Sequence, residues 1–136
     1  MKKVLLVCYG AGHANLLAPV HQRLLNEGHV KATALALSVA KHTFLKRSLP
    51  YKTIRDYDGI LDAEAERYGQ RLADRWHVES SGITREESVA YLGASMRDLA
   101  HELGEAEAWR RLETCGRQAF LPLRTMDRII AAEQPD

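Results

Sequence analysis

Residues 3–28, KVLLVCYGAGHANLLAPVHQRLLNEG, decide the fold. Val4-Leu5-Leu6-Val7-Cys8 is a short apolar run, the right length for a strand buried on both faces. Tyr9-Gly10-Ala11-Gly12-His13 then reads as a glycine turn. Behind it Leu16, Leu17, Val20, Leu24 and Leu25 recur at helical spacing, and Gly28 supplies the stop. Strand, glycine turn and helix in that order begin a parallel α/β sheet, and ligands of such sheets bind at the carboxyl ends of the strands. Glycines let a backbone approach an anion, and a helix N-terminus favours negative charge. His13 is the one side chain in this turn of a type that titrates near neutrality.

Several ligands are poor fits. A dinucleotide fingerprint needs a third glycine where Asn15 stands and an acid after the second strand, which instead ends Ala36-Leu37-Ser38. The Gly-Lys-Ser/Thr of a nucleoside-triphosphate loop is absent from the turn. A cysteine phosphatase would need an arginine and a hydroxyl residue beyond Cys8, where Ala14-Asn15-Leu16 stand, so Cys8 reads as a small buried apolar residue.

Gly12-His13 and, at the end of the helix, Gly28-His29 carry a resemblance. Residues 10–29 look like the first strand-turn-helix of glycosyltransferases built from two Rossmann-like domains, the GT-B type. Many of those have a proline directly after the Asn that follows Gly-His, whereas here Asn15 precedes Leu16 and the proline is Pro19. The resemblance implies a nucleotide-sugar donor, an acceptor hydroxyl and His13 as general base. Gly10, Ala11, Gly12 and Asn15 would shape the substrate site, with no metal and no cofactor. An imidazole titrates near neutrality and can take the proton of an attacking alcohol. The other role open to His13 is to cap the helix or bind a phosphate.

The 136 residues allow one domain with a real core. Hydrophobic content of 46% and charged content of 27% fit a globular protein, and a net charge of +1 gives no reason to expect nucleic acid or an anionic membrane. Cys8 and Cys115 make neither a disulfide framework nor a zinc spacing, which fits a reducing cytoplasm. The apolar run after Met1-Lys2-Lys3 is too short for a signal peptide, and no stretch reads as a transmembrane segment. The expected location is therefore cytoplasmic.

Ala32–Leu37 reads as a second strand and Val39–Arg47 as a helix with a solvated basic face of Lys41, His42, Lys46 and Arg47. Tyr51–Ile54 follows Pro50 as a third strand, and Asp56-Tyr57-Asp58-Gly59 as a turn. The expected fold class is α/β: a truncated Rossmann-like parallel sheet of three strands in order 3-2-1, followed by a helical segment. Residues 60–121 form a helical insertion. Leu61, Ala65, Tyr68, Leu72 and Trp76 share one helical face, and Thr84 with Glu87 makes a capping box. It leads a stripe of Val89, Leu92, Met96, Leu99 and Leu103 that Gly104 ends. A helix over Glu105–Ala119 buries Ala108, Trp109, Leu112 and Cys115, and a last one after Pro122 buries Leu123, Met126, Ile129 and Ile130.

A helix followed by Gln134-Pro135-Asp136 commonly leads into a further buried strand of such a sheet, since the outer edge of strand one would otherwise lie unpaired. The sequence therefore reads as one domain over residues 1–136, the N-terminal, acceptor-side half of a larger or split enzyme. It would be inactive alone, with a missing C-terminal domain holding most donor contacts and self-association of the isolated piece possible. A nucleotide-sugar epimerase of the same architecture is the enzymatic alternative, although its loop would normally carry an arginine between residues 10 and 17. A non-catalytic partner module is the other, with Tyr91, Trp109, Phe120 and Leu121 as contacts.

Overall fold

The computed structural model describes residues 1–120 and 122–136. Strands β1 (Lys2–Tyr9) and β2 (Val30–Leu37) pair in parallel, from Lys2 opposite Val30 to Tyr9 opposite Leu37. Helix α1 (Gly10–Glu27) crosses between them, and Gly28 ends it at a left-handed φ of 71°, a conformation glycine adopts without a Cβ clash.

The expected three-stranded sheet is not formed; among the described residues the sheet has two strands. Tyr51–Ile54 makes a single parallel bridge, Lys52 to Leu35, with Lys52 exchanging backbone hydrogen bonds with Ala34 and Ala36. Both ends of that segment explain its shortness. Pro50 has no N–H to give to a ladder. Thr53 turns the chain into a 3-10 turn, Ile54–Asp56, through a reciprocal capping box with Asp56. The basic helix is also shorter than expected: a 3-10 turn covers Ser38–Ala40 and α2 spans Lys41–Lys46.

The rest is helical: α3 (Ala63–Trp76), α4 (Arg85–Leu103), α5 (Glu105–Cys115) and α6 (Leu123–Glu133), with 3-10 turns at Glu79–Ser81 and Gly116–Ala119. Leu121, one of the expected contact residues, lies outside the described residues.

Strand alternation sends apolar side chains to both faces of the sheet. Cys8, Ala34 and Ala36 pack against Ala14 and Ala18 of α1 and against Ala40 and Phe44. On the other face Leu35 and Leu37 meet Ala90 and Ala94 of α4 and Ile129 of α6. α1 thus buries an alanine stripe rather than its leucines: small residues bring helix and sheet close, and Leu16 and Val20 are left exposed. In α6, likewise, Ile129 is buried while Leu123 and Ile130 are exposed, and Cys115 of α5 is exposed too.

α4 is the pillar of the molecule. Its Ala90 and Ala94 serve the sheet, while Val89, Leu92, Met96 and Leu99 pack with Tyr68 and Leu72 of α3 and Leu112 of α5. Close contact with α3 depends on two glycines. A Cβ on Gly69 would lie 2.2 Å from the Val89 carbonyl oxygen, and one on Gly93 2.0 Å from that of Ala65. On the same face as those alanines, α4 also buries a charge. Arg97 donates to Thr125 Oγ1 (3.0 Å) and to the Ile60 carbonyl, beside Asp62 (3.3 Å) and Asp98 (3.3 Å). Asp98 in turn accepts from the Thr125 amide in the first turn of α6 (2.7 Å), so the buried ions are compensated and tie three elements together.

Candidate functional site

Gly10 follows Tyr9 at the carboxyl end of β1 and takes a φ of 73°, which a residue with a Cβ adopts only under strain. That conformation lets α1 start at once, so the expected loop shrinks to one residue and Gly12 and His13 lie within the helix's first turn. The amides of Gly10, Ala11 and Gly12 have no intrahelical acceptor. Tyr9, the residue before the helix, makes no side-chain cap, and the first turn has no acid. These amides and the helix dipole are therefore available to an anion.

Ala11, Gly12 and His13 are exposed, and nothing lies within 4 Å of a Cβ built on Gly12. The second glycine of the motif is thus not dictated by packing; it keeps the space over the amides clear. Asn15 is exposed as well, and its Oδ1 accepts a long hydrogen bond from Thr43 of α2 (3.4 Å). The structure places all five residues singled out in the sequence on one helical turn and a half.

At Tyr9, the residue before this turn, the ends of β1 and β2 open onto a crevice whose lining includes none of Gly10, Ala11, Gly12, His13 and Asn15. A groove of about 440 Å³ is lined by Val7, Tyr9, Tyr91, Arg117, Phe120 and Met126. A second cavity of about 150 Å³, lined by Ser38, Trp76, Glu87, Ser88, Tyr91 and Arg117, adjoins it through Tyr91 and Arg117. The Tyr9 and Tyr91 rings stand 5.8 Å apart, and burial, then the Tyr9 hydroxyl, pushes the Tyr91 hydroxyl well above the ordinary phenol range. Ser38, the first residue beyond β2, has a φ of 55°, a strained conformation at the crevice.

Lys41, read from the sequence as part of a solvated face, is buried, and its Nζ pairs with Glu87 Oε1 at 2.6 Å. The Glu87 side chain therefore does not complete a capping box, although Thr84 still accepts from the Glu87 amide. The rule that ligands meet parallel strands at their carboxyl ends would have found Tyr9 and Ser38. Arg117, eighty residues further along, carried no local signal.

Of the contacts suggested for a partner module, the described ones do not form an exposed surface: Phe120 is buried and Tyr91 and Trp109 are half-buried. Among the described residues no three His, Cys, Asp or Glu side chains gather to hold a metal, and no helix is long and apolar enough to cross a membrane. Compared with known protein families, curated proteins and solved structures, the chain matches none.

Proposed function

We propose that the chain is the N-terminal, acceptor-side domain of a glycosyltransferase that moves a sugar from a nucleotide-sugar donor to an acceptor hydroxyl. One observation carries this reading: an uncapped helix start with an exposed histidine in its first turn, at the carboxyl end of β1 and beside an amphipathic crevice. The acceptor would lie in the crevice, where Tyr9, Tyr91 and Arg117 offer hydroxyl, ring and charge. In the transfer step the acceptor oxygen attacks the anomeric carbon while the His13 imidazole takes its proton. The bond from that carbon to the diphosphate breaks, and the nucleoside diphosphate leaves with the electron pair. The free amides of Gly10 to Gly12 and the α1 dipole favour the charge that develops on it.

The reading assigns most donor contacts to a second domain outside these residues. Its test is a transfer assay on the polypeptide carrying this domain, using a panel of nucleotide sugars with hydroxyl acceptors. Release of nucleoside diphosphate that requires the acceptor supports the proposal. Interconversion of the sugar with no acceptor present would assign the chain to epimerases instead.

A further inference from the structure

Ser88, the fourth residue of α4, does not direct its hydroxyl to the carbonyl one turn back, as Thr114 does in α5. Its Oγ lies 2.7 Å from Nδ1 of His77, the residue that ends α3, and among the described residues it has no other hydrogen-bond partner. The His77 side chain is 4% exposed. Its other ring nitrogen, Nε2, makes no hydrogen bond among the described residues, and Glu79 Oε1 stands 3.4 Å from it. A carboxylate beside Nε2 favours the tautomer with the proton on that nitrogen, which leaves the Nδ1 lone pair to accept from Ser88. The same carboxylate stabilises the ring once Nδ1 gains a proton and the imidazole becomes cationic. Ser88 also stands in the wall of the 150 Å³ cavity, with Trp76, Val78 and Leu92 as apolar neighbours and Ser38 and Arg117 as polar ones. Hydroxyl, base and acid in a row, opening on a cavity, are the parts of an activated serine nucleophile.

We infer that Ser88 is the nucleophile, and His77 the general base, of a second site that hydrolyses esters of short acyl chains. Ser88 Oγ bonds to the carbonyl carbon of the ester while its proton passes to His77 Nδ1. Ser38 and Arg117 are the donors that the cavity wall offers to the oxyanion so formed. The bond to the alcohol oxygen then breaks, and the alcohol leaves with the proton from His77. Water gives a proton to His77 as its oxygen bonds to the acyl carbon; the carboxylic acid departs, and Ser88 Oγ takes that proton back. Glu79 acts through His77, as a positioning residue. The cavity of about 150 Å³ has room for a group the size of benzene, so the acyl chain is limited to about six carbons. This inference does not depend on the proposed sugar transfer.

The experiment treats the polypeptide carrying this domain with an alkyl fluorophosphonate, and separately with p-nitrophenyl butyrate and p-nitrophenyl decanoate. Peptide mass spectrometry should find the phosphonyl group on Ser88, and the butyrate should be hydrolysed in preference to the decanoate. Ser88→Ala, a change that helix propensity favours, should remove that label and lower butyrate turnover by at least about 100-fold. Glu79→Gln, at a side chain 92% exposed, should lower kcat while KM and the unfolding midpoint stay as in the parent. An unlabelled Ser88 in the folded parent overturns the inference, and so does butyrate hydrolysis that survives Ser88→Ala. A Glu79→Gln protein with the parent's kcat overturns the part given to Glu79.

Discussion

Tyr57 Oη donates a 2.8 Å hydrogen bond to Glu133 Oε1, joining the turn after the Lys52 bridge to the last turn of α6. The same carboxylate accepts from Thr33 of β2 (3.2 Å) and from Lys52 Nζ. Glu133 thus gathers the sheet, the bridge segment and α6 at one point. Glu133→Ala strands the buried Tyr57 hydroxyl and should lower unfolding free energy by about 1–3 kcal/mol, with Tyr57→Phe costing less because it removes donor and need together. Denaturant midpoints of the two variants check the order.

Stability should fall on the acid side. Burial raises the Glu133 pKa, but Lys52 and Tyr57 outweigh it and hold the carboxyl below its reference of 4.5. At Asp62 burial is likewise outweighed by the Ala65 amide and Arg97, below a reference of 3.8. For a group whose folded pKa lies below its unfolded value, the stabilisation is complete above the unfolded value and disappears as pH falls through the folded one. The part that Glu133 and Asp62 contribute should therefore be level above about pH 5 and decline below it, while His21, whose pKa burial lowers from 6.5, adds a decline that begins nearer that value. Glu133→Gln should be less stable near neutrality and show a shallower acid decline; an unchanged decline would remove Glu133 from the account.

The α3–α4 crossing predicts a different response. Gly93→Ala drives a methyl group toward the Ala65 carbonyl oxygen and Gly69→Ala another toward that of Val89, and backbone cannot step aside as a side chain can. Each should cost about 1–3 kcal/mol by overpacking, despite alanine's better helix propensity. Thermal unfolding would show it.

The two motif glycines should part company. Gly10→Ala places a Cβ at a φ of 73° and should destabilise by about 1–2 kcal/mol. Gly12→Ala meets nothing within 4 Å inside a helix, so it should stabilise by up to about 1 kcal/mol while crowding the free amides and slowing transfer. A Gly12→Ala protein that is both more stable and fully active would show that this glycine has no part in the site.

Much of this was legible from local chemistry. The apolar run of β1, the helix stop at Gly28 and the stripe of α4 follow from spacing, because each is set within a few residues. The third strand was misread because Tyr51–Ile54 has strand composition, yet Pro50 and the Thr53–Asp56 capping box leave it only one bridge. The face of α1 was misread because leucines outrank alanines in a hydrophobic pattern, whereas close packing on Ala34 and Ala36 selects Ala14 and Ala18. At the site, Gly10 to Asn15 could be found because they are contiguous. Lys41–Glu87 and Arg117 could not, since their roles depend on how α4 and the segment after α5 fold back onto the sheet.

The most direct measurement is turnover of His13→Ala in the polypeptide that carries this domain, with donor affinity measured alongside. His13 is exposed and packs against no core, so the variant should fold as the parent does. A fall in kcat of about 100- to 10,000-fold with donor Kd unchanged is the result expected of a lost general base. Turnover within about twofold of the parent would contradict the role given to His13 and, with it, the sugar-transfer chemistry assigned to the start of α1.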